Sequence, residues 1–316
     1  MNVLVTGAAG FIGSHLCEKL LKSPEHRVIG IDGFIQPRLK PAKERNLRNL
    51  LRHPRFTFVE NSLQRISWKS LLPRIDAIYH LAGMPGVRTS WGTDFKLYIQ
   101  HNIAATQRLL EACVQHTPER LIYASTSSVY GHKLGRVAEN AQPEPLSPYG
   151  VSKLTGEHLC RVYGENFGIP FVILRYFTVY GPRQREDMAF HRFIRQLLHE
   201  ETLQVNGDGT QTRDFTYVED CIEGTAAALD ARGIIGETIN IGGKERASVL
   251  EVIALLEQLS GMGANVSLGG ETRGEPKHTW ADISKAEKLL GYRTTVGLKD
   301  GLRSEWNDLI ALYGGG

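Results

Sequence analysis

The chain opens on a short apolar run that breaks into a glycine-rich turn: Val3-Leu4-Val5 leads into Thr6-Gly7-Ala8-Ala9-Gly10-Phe11-Ile12-Gly13. No other stretch limits the accessible folds as much. A strand that ends in glycines at GxxGxxG spacing and runs directly into a helix marks a βαβ unit whose turn receives a phosphate-bearing ligand. Gly7 permits the tight turn, Gly10 lets backbone N–H groups approach a pyrophosphate, and Gly13 allows helix and strand to pack closely. The helix start at Phe11 and Ile12 then offers unpaired N–H groups and the positive end of its dipole to the anion. Asp32 closes the second strand-like run, Arg27-Val28-Ile29-Gly30-Ile31. A carboxylate there suits the hydroxyls of an adenosine ribose and repels a 2′-phosphate, so the expected ligand is NAD rather than NADP.

Further apolar, β-branched runs recur at residues 56–59, 77–81, 120–124 and 171–177, separated by helical stretches near 12–22, 103–115 and 149–167. This alternation predicts right-handed crossovers and a doubly wound parallel α/β sheet of Rossmann type, covered on both faces. Beyond residue 178 the texture changes to Gly/Pro/Arg-rich loops around short elements. Val249, Val252, Ile253, Leu256 and Leu259 form one stripe of an amphipathic helix, and Ile239-Asn240-Ile241 reads as a strand returning to the sheet. The expected organisation is a dinucleotide-binding domain over 1–177, with returning segments near 214–243. A smaller, interleaved substrate domain is expected from 178–213 and 244–316. The closing Gly314-Gly315-Gly316 reads as a frayed end or an appended remnant.

With 41% apolar and 22% charged residues, the 316-residue chain has the composition of a soluble globular protein, not of a disordered or fibrous one. Its formal charge of +3 is too small to imply nucleic acid as a partner. Seven basic residues do cluster between Arg38 and Arg55, which reads as a solvated helix face, with an anion-recruiting patch as the alternative. No apolar run approaches the roughly 20 residues of a membrane span, and no secretory leader pattern precedes the first strand. Cys17, Cys113, Cys160 and Cys221 are scattered without a CxxC pair. Buried free thiols, no metal site and a cytoplasmic location are therefore expected.

Tyr149 and Lys153 stand four residues apart at a predicted helix start and so share one face. A tyrosine with pKa ~10 is a poor base at neutral pH, but an ammonium one turn away and a positive nicotinamide ring both favour the phenolate. Tyr149 is then placed to take a proton from a substrate hydroxyl as hydride leaves the same carbon, with Lys153 also bonding the nicotinamide ribose. Ser125-Thr126-Ser127-Ser128 ends the preceding strand, where an open α/β sheet places its ligands. Thr126 is positioned to bridge the reacting hydroxyl to Tyr149; turn capping is the other role open to these hydroxyls.

Taken together, the chain resembles the extended short-chain dehydrogenases/reductases of the NAD-dependent sugar-nucleotide epimerase/dehydratase type. The likeness rests on 6–13, Asp32, His80-Leu81-Ala82, 125–131, Tyr149/Lys153, 175–181, 213–220, 240–243 and 280–286. It implies a reaction that is redox-neutral overall, in which held NAD oxidises a sugar hydroxyl to a ketone and returns the hydride. It further implies Leu81 and Ala82 along the cofactor, Arg213 and Arg273 on the pyrophosphate or ribose, Glu275 near the ribose and Arg192 as a further substrate contact. Arginine suits such positions because its planar fork pairs bidentately with phosphate. Two departures stand out: Ser62 where relatives often carry an adenine-contacting Asp, and Gly83 where they usually carry Ala. A homodimer built on the helix of Tyr149 and the one near Ile103 is also implied.

Within that family, residues 126–128 discriminate. The 4,6-dehydratases are similar but carry Thr-Asp-Glu there, and UDP-glucuronate decarboxylases carry Thr-Ser-Glu; this chain has Thr126-Ser127-Ser128 and lacks the acid. The loop Ala82 to Ser90, the segment Arg175 to Pro182 with Thr178 where UDP-glucose 4-epimerases typically show Asn, and Arg185-Glu186-Asp187-Met188-Ala189 resemble the UDP-glucuronate 4-epimerase branch. The expected substrate is UDP-glucuronate, interconverted with UDP-galacturonate through a 4-keto intermediate. UDP-glucose 4-epimerase and UDP-glucuronate decarboxylase are the alternatives. A 4-keto uronate is a β-keto acid that loses carbon dioxide once its carboxylate stands perpendicular to the ketone. Ser127, Ser128 and Thr178, with charge from Arg185 or Arg88, are expected to hold the carboxylate out of that geometry.

Overall fold

The computed structural model describes residues 1–270 and 273–314, so Gly315 and Gly316 of the expected frayed end lie outside the described residues. The elements β1 (Asn2–Thr6), α1 (Phe11–Leu21), β2 (Arg27–Asp32), α2 (Lys40–Leu47), β3 (Phe56–Glu60), α3 (Trp68–Leu71) and β4 (Ala77–His80) build the first half of a sheet. The second half comprises α4 (Phe95–Tyr98), a π-helical turn (Ile99–Ala104), α5 (Ala105–Gln115), β5 (Arg120–Thr126), α6 (Pro148–Phe167) and β6 (Phe171–Tyr176). Then follow β7 (Thr178–Tyr180), α7 (Ala189–Leu198), β8 (Leu203–Val205), β9 (Thr212–Tyr217), α8 (Val218–Ala227) and β10 (Thr238–Ile241). The chain ends through β11 (Glu245–Ser248), α9 (Val249–Ser260), β12 (Val266–Leu268), α10 (Ser284–Leu290) and α11 (Leu298–Tyr313).

The central sheet has seven parallel strands in the order β10-β6-β5-β4-β1-β2-β3. Alternation along each strand sends side chains to opposite faces: Val3 and Val5 join one core with Leu16, Leu20 and Ile222, while Leu4 joins another with Leu109, Leu110 and Cys160. Both faces are buried, which accounts for the near-continuous apolar strands. All four cysteines are free and buried. Among the described residues, no helix is long and apolar enough to cross a membrane.

Two features depart from expectation. The run 171–177 is not one strand. It breaks after Tyr176, where Phe177 N–H bonds Ile241 O, and Thr178 opens β7, which pairs with β9 in a separate three-stranded sheet, β11-β9-β7. Apolar content is continuous across the break, so periodicity alone cannot reveal it. The basic cluster splits: Arg38, Arg48 and Arg52 are exposed, as a solvated face requires, while three other members turn inward. Arg55 donates to the carbonyls of Leu21, Ser23 and His26, Arg45 pairs with Asp308, and Lys43 pairs with Asp32.

Candidate active site

The sheet reverses direction of growth between β1 and β4, and an open cleft of about 660 Å³ lies over the strand C-termini at that point. The glycine turn forms its floor. Gly7 has φ +73°, and a Cβ there would stand 2.9 Å from the backbone nitrogen of Ala82. A Cβ on Gly13 would fall 2.2 Å from the carbonyl oxygen of Gly7, so the close packing at Gly13 is against the turn itself. This is a backbone cradle that only glycines can line, opening on the start of α1, and it fits the pyrophosphate of a dinucleotide. Thr6 Oγ1 accepts from Ala82 N–H at 3.1 Å and lies 2.8 Å from His80 Nδ1; His80 Nε2 is 2.9 Å from Thr106 Oγ1. Burial, with the Lys153 charge adding, pushes His80 down to about 3, so a neutral ring ties Leu81 and Ala82 to the sheet.

Asp32 is buried at the rim. Its Oδ1 accepts from Phe34 N–H at 3.0 Å and from Lys43 Nζ at 2.7 Å. The sequence marks Lys43 only as one of the basic cluster, and nothing local signals a residue 11 positions on as Asp32's partner.

Ser147 caps α6 by accepting from Gly150 N–H at 3.1 Å, and Pro148 fits the first turn, where no N–H is needed. Tyr149 and Lys153 therefore face the cleft from adjacent turns. The Lys153 ammonium sits 4.1 Å over the Tyr123 ring. Burial lowers it to about 8, against the upward pull of Cys160 and Glu157. Burial raises Tyr149, while hydrogen bonding with Thr126 and the Arg185 charge draw it back down. Thr126 is the last residue of β5, and its Oγ1 accepts from Ser128 N–H at 3.2 Å, which is the turn-capping role. Behind it, Ser125 donates to Glu157 at 2.5 Å, and Arg175 grips the same carboxylate at 2.9 and 2.6 Å.

Asn102 was missed. It lies in the π-helical turn, accepts from Met84 N–H at 2.6 Å, and donates to Met84 O and Ser152 Oγ, each at 2.9 Å. A Cβ on Gly83 would stand 2.9 Å from Asn102 Oδ1, which accounts for glycine rather than alanine at that position.

Every residue anticipated for cofactor or substrate lines the cleft except Arg273, which is exposed and stacks 5.6 Å from the Trp91 ring. The arginines divide into two groups. Arg88 and Arg213 share the carboxylate of Glu275 at 2.8 and 3.0 Å, with the Asn206 amide oxygen facing Arg88 and Arg192 donating to Gln204 O at 3.1 Å. Arg185 instead pairs with Asp187 at 2.9 and 2.8 Å, beside Tyr149. Burial pushes Asp187 up, but that guanidinium outweighs it and holds the carboxyl below its usual range. Of the two charges expected near the sugar, Arg185 thus stands with Tyr149, and Arg88 stands with Arg213.

Comparison with known proteins agrees with this geometry. The family model described as NAD dependent epimerase/dehydratase matches residues 3–242. An uncharacterised UDP-glucose epimerase of Bacillus subtilis is 58% identical over 315 residues, all of both chains. A UDP-glucuronate 4-epimerase of Thermodesulfobacterium geofontis is 37% identical, over 96% of this chain and 94% of its own. Among solved structures, a UDP-glucuronic acid 4-epimerase from Bacillus cereus, in complex with UDP-glucuronic acid and NAD, superposes with a TM-score of 0.98. It is 57% identical, over 99% of this chain and 100% of its own.

Proposed function

The chain belongs to the NAD dependent epimerase/dehydratase family, and from that premise we propose that it is a UDP-glucuronate 4-epimerase, interconverting UDP-glucuronate and UDP-galacturonate. One observation carries the reading. A Tyr149–Lys153–Thr126 set stands beside a sugar pocket furnished with the hydroxyls of Ser127, Ser128 and Thr178 and the guanidinium of Arg185. Asp187, the acid in that pocket, is held ionised by Arg185 and so cannot act as a proton donor.

NAD, held by the glycine turn and Asp32, supplies the hydride acceptor and donor. Tyr149, as phenolate, takes the proton from the sugar's O4 while hydride leaves C4, and Lys153 and Thr126 stabilise the charge on the phenol oxygen. Arg88, Arg213 and Glu275 hold the nucleotide end while the 4-keto sugar turns its other face to the cofactor. Tyr149 then returns the proton to O4 as hydride is restored to C4. The neutral hydroxyls of Ser127, Ser128 and Thr178 hold the carboxylate in the plane of the ketone, where its C–C bond overlaps poorly with the carbonyl and carbon dioxide stays attached.

We take residues 1–177, with returning segments near 214–243, as the cofactor domain and 178–213 with 244–316 as the sugar-nucleotide domain. The working form is a homodimer: Val151, His158 and Val162 are exposed at helical spacing on α6. Four reduced thiols suit the cytoplasm.

Purified protein incubated with UDP-glucuronate, without added NAD, and followed by proton NMR should yield UDP-galacturonate at unchanged mass. A UDP-pentose with release of carbon dioxide makes it a decarboxylase. Turnover of UDP-glucose alone moves the substrate to the neutral sugar, a reading that the name of the Bacillus subtilis relative favours.

A further inference from the structure

Arg183, two residues before Arg185, takes no part in the site, yet it is held in a conformation that few side chains accept. Its φ is +68°, in the left-handed region where a Cβ is disfavoured, so surrounding contacts must enforce it. Those contacts come from two elements, α11 and α1, with α2 bracing the first. Asp308 on α11 accepts from Arg183 N–H at 3.0 Å and binds Arg45 of α2 at 2.5 Å. The Arg183 guanidinium crosses to α1, pairing with Glu18 at 3.0 and 2.7 Å and reaching Ser14 Oγ at 3.3 Å. Asn46, next to Arg45, donates at 3.0 Å to the carbonyl of Ala9 in the glycine turn. The loop that carries Arg185 is therefore tied to the cofactor cradle by two routes, through α1 and through α2. These partners are mostly shielded from water, where charge-assisted pairs are rigid.

Resting on the functional reading above, we propose that Arg183, Glu18 and Asp308 are positioning residues that fix where Arg185 stands relative to Tyr149, and so prevent loss of the uronate carboxylate. When Arg185 drifts, the carboxylate of the 4-keto sugar rotates toward the perpendicular. The C5–carboxylate bond then breaks, its electron pair passes into the C4 carbonyl, carbon dioxide leaves, and C5 takes a proton from solvent.

The test uses NAD-loaded wild-type protein, Arg183→Gly and Glu18→Gln with UDP-glucuronate, and reads by NMR the ratio of decarboxylated to epimerised product per turnover. Glycine keeps the left-handed backbone while removing the guanidinium, and glutamine keeps the size of Glu18 without its charge. Each variant should raise the decarboxylated share at least about tenfold, as misplacement of a positioning group by a fraction of an ångström would. The double variant should be no worse than the poorer single one. Because the ratio is taken per turnover, a smaller folded fraction does not affect it. An unchanged ratio in both variants overturns the proposal, even if turnover falls, since that marks a purely structural role. Wild-type protein that leaves UDP-glucuronate untouched overturns the functional reading and this inference with it.

Discussion

At Tyr149 and Lys153 the same low-polarity setting acts in opposite directions: burial raises the phenol and lowers the ammonium to about 8. Activity needs Tyr149 ionised and Lys153 protonated. The phenolate–ammonium form therefore grows with pH only up to about 8, where Lys153 starts to lose its proton, so on the proposed mechanism the kcat of the wild type should climb to about pH 8 and then level off. Lys153→Met should abolish that levelling and leave a rise that continues to higher pH, because nothing then favours the phenolate; a profile from pH 6 to 10 checks both, and a variant that still levels off near pH 8 would separate Lys153 from Tyr149's ionisation. Tyr149→Phe should lower kcat roughly a hundred- to ten-thousand-fold with the fold intact, measured against far-ultraviolet circular dichroism. Thr178→Ala or Ser127→Ala should increase the decarboxylated product; if neither exceeds wild type, these hydroxyls do not orient the carboxylate. The shared face of Tyr149 and Lys153 was legible because a four-residue spacing on a helix dictates it. Asn102 was not, because its role comes from the π-helical turn that rotates it toward Met84 and Ser152, and a backbone hydrogen-bond shift leaves no mark on residue spacing.

Elements are joined in this molecule by buried backbone contacts that side-chain chemistry then secures. The glycine turn is the clearest: Gly13→Ala would drive a Cβ against the Gly7 carbonyl at 2.2 Å, backbone against backbone, with no flexible atom to yield. Such overpacking costs about 1–3 kcal/mol, and because the cradle itself opens, the purified variant should also carry less NAD, read from the cofactor released on denaturation. Glu305 on α11 makes a different joint. Its Oε2 accepts from Gly181 N–H at 2.8 Å, while Oε1 is buried with no hydrogen-bond partner among the described residues. Burial raises its carboxyl well above the ordinary value, against the pull of the Gly181 bond. The folded state thus retains a proton that the unfolded chain releases above about pH 4.3. Glu305 then supports folding best at low pH and less as pH rises from there toward the folded value. Glu305→Gln should flatten that slope and be at least as stable as wild type at pH 8 in denaturant titrations. Glu305→Leu, which strands the Gly181 N–H, should cost about 1–3 kcal/mol at every pH. The strands of the central sheet were readable because two buried faces require unbroken apolar runs. The β6–β7 break was hidden by that same continuity.

Across the whole molecule, the chain leaves the central sheet after Tyr176, builds β7 and β9, returns as β10 at the sheet edge, and leaves again into β11. The returning strand is fastened to the segment between β5 and α6 and to the chain just before α10: Asn240 accepts from Tyr130 Oη at 2.7 Å, and its own amide donates to Val137 O and Asp282 O. Asp214 closes the loop by accepting from Gly243 N–H at 2.5 Å and Ala281 N–H at 2.9 Å. The seven-stranded and three-stranded sheets, whose strands interleave along the chain in this way, share one buried cluster, so neither keeps a complete core alone. Thermal or urea unfolding should accordingly give a single transition, with tyrosine fluorescence and circular dichroism coinciding. Because NAD binds only the folded cleft, added cofactor should move that one transition upward without splitting it, by about 2.7 kcal/mol at a hundredfold excess over its dissociation constant. Two separated transitions, or a shift in only one of them, would mean that the two sheets fold as independent units and that β10 is a loosely held edge. A fragment ending at residue 177 provides the complementary test. It exposes the β6 edge, which β10 covers through pairing from Thr238↔Ile173 to Ile241↔Tyr176. It should aggregate or remain partly unfolded, even though it contains the glycine turn, Asp32, Tyr149 and Lys153.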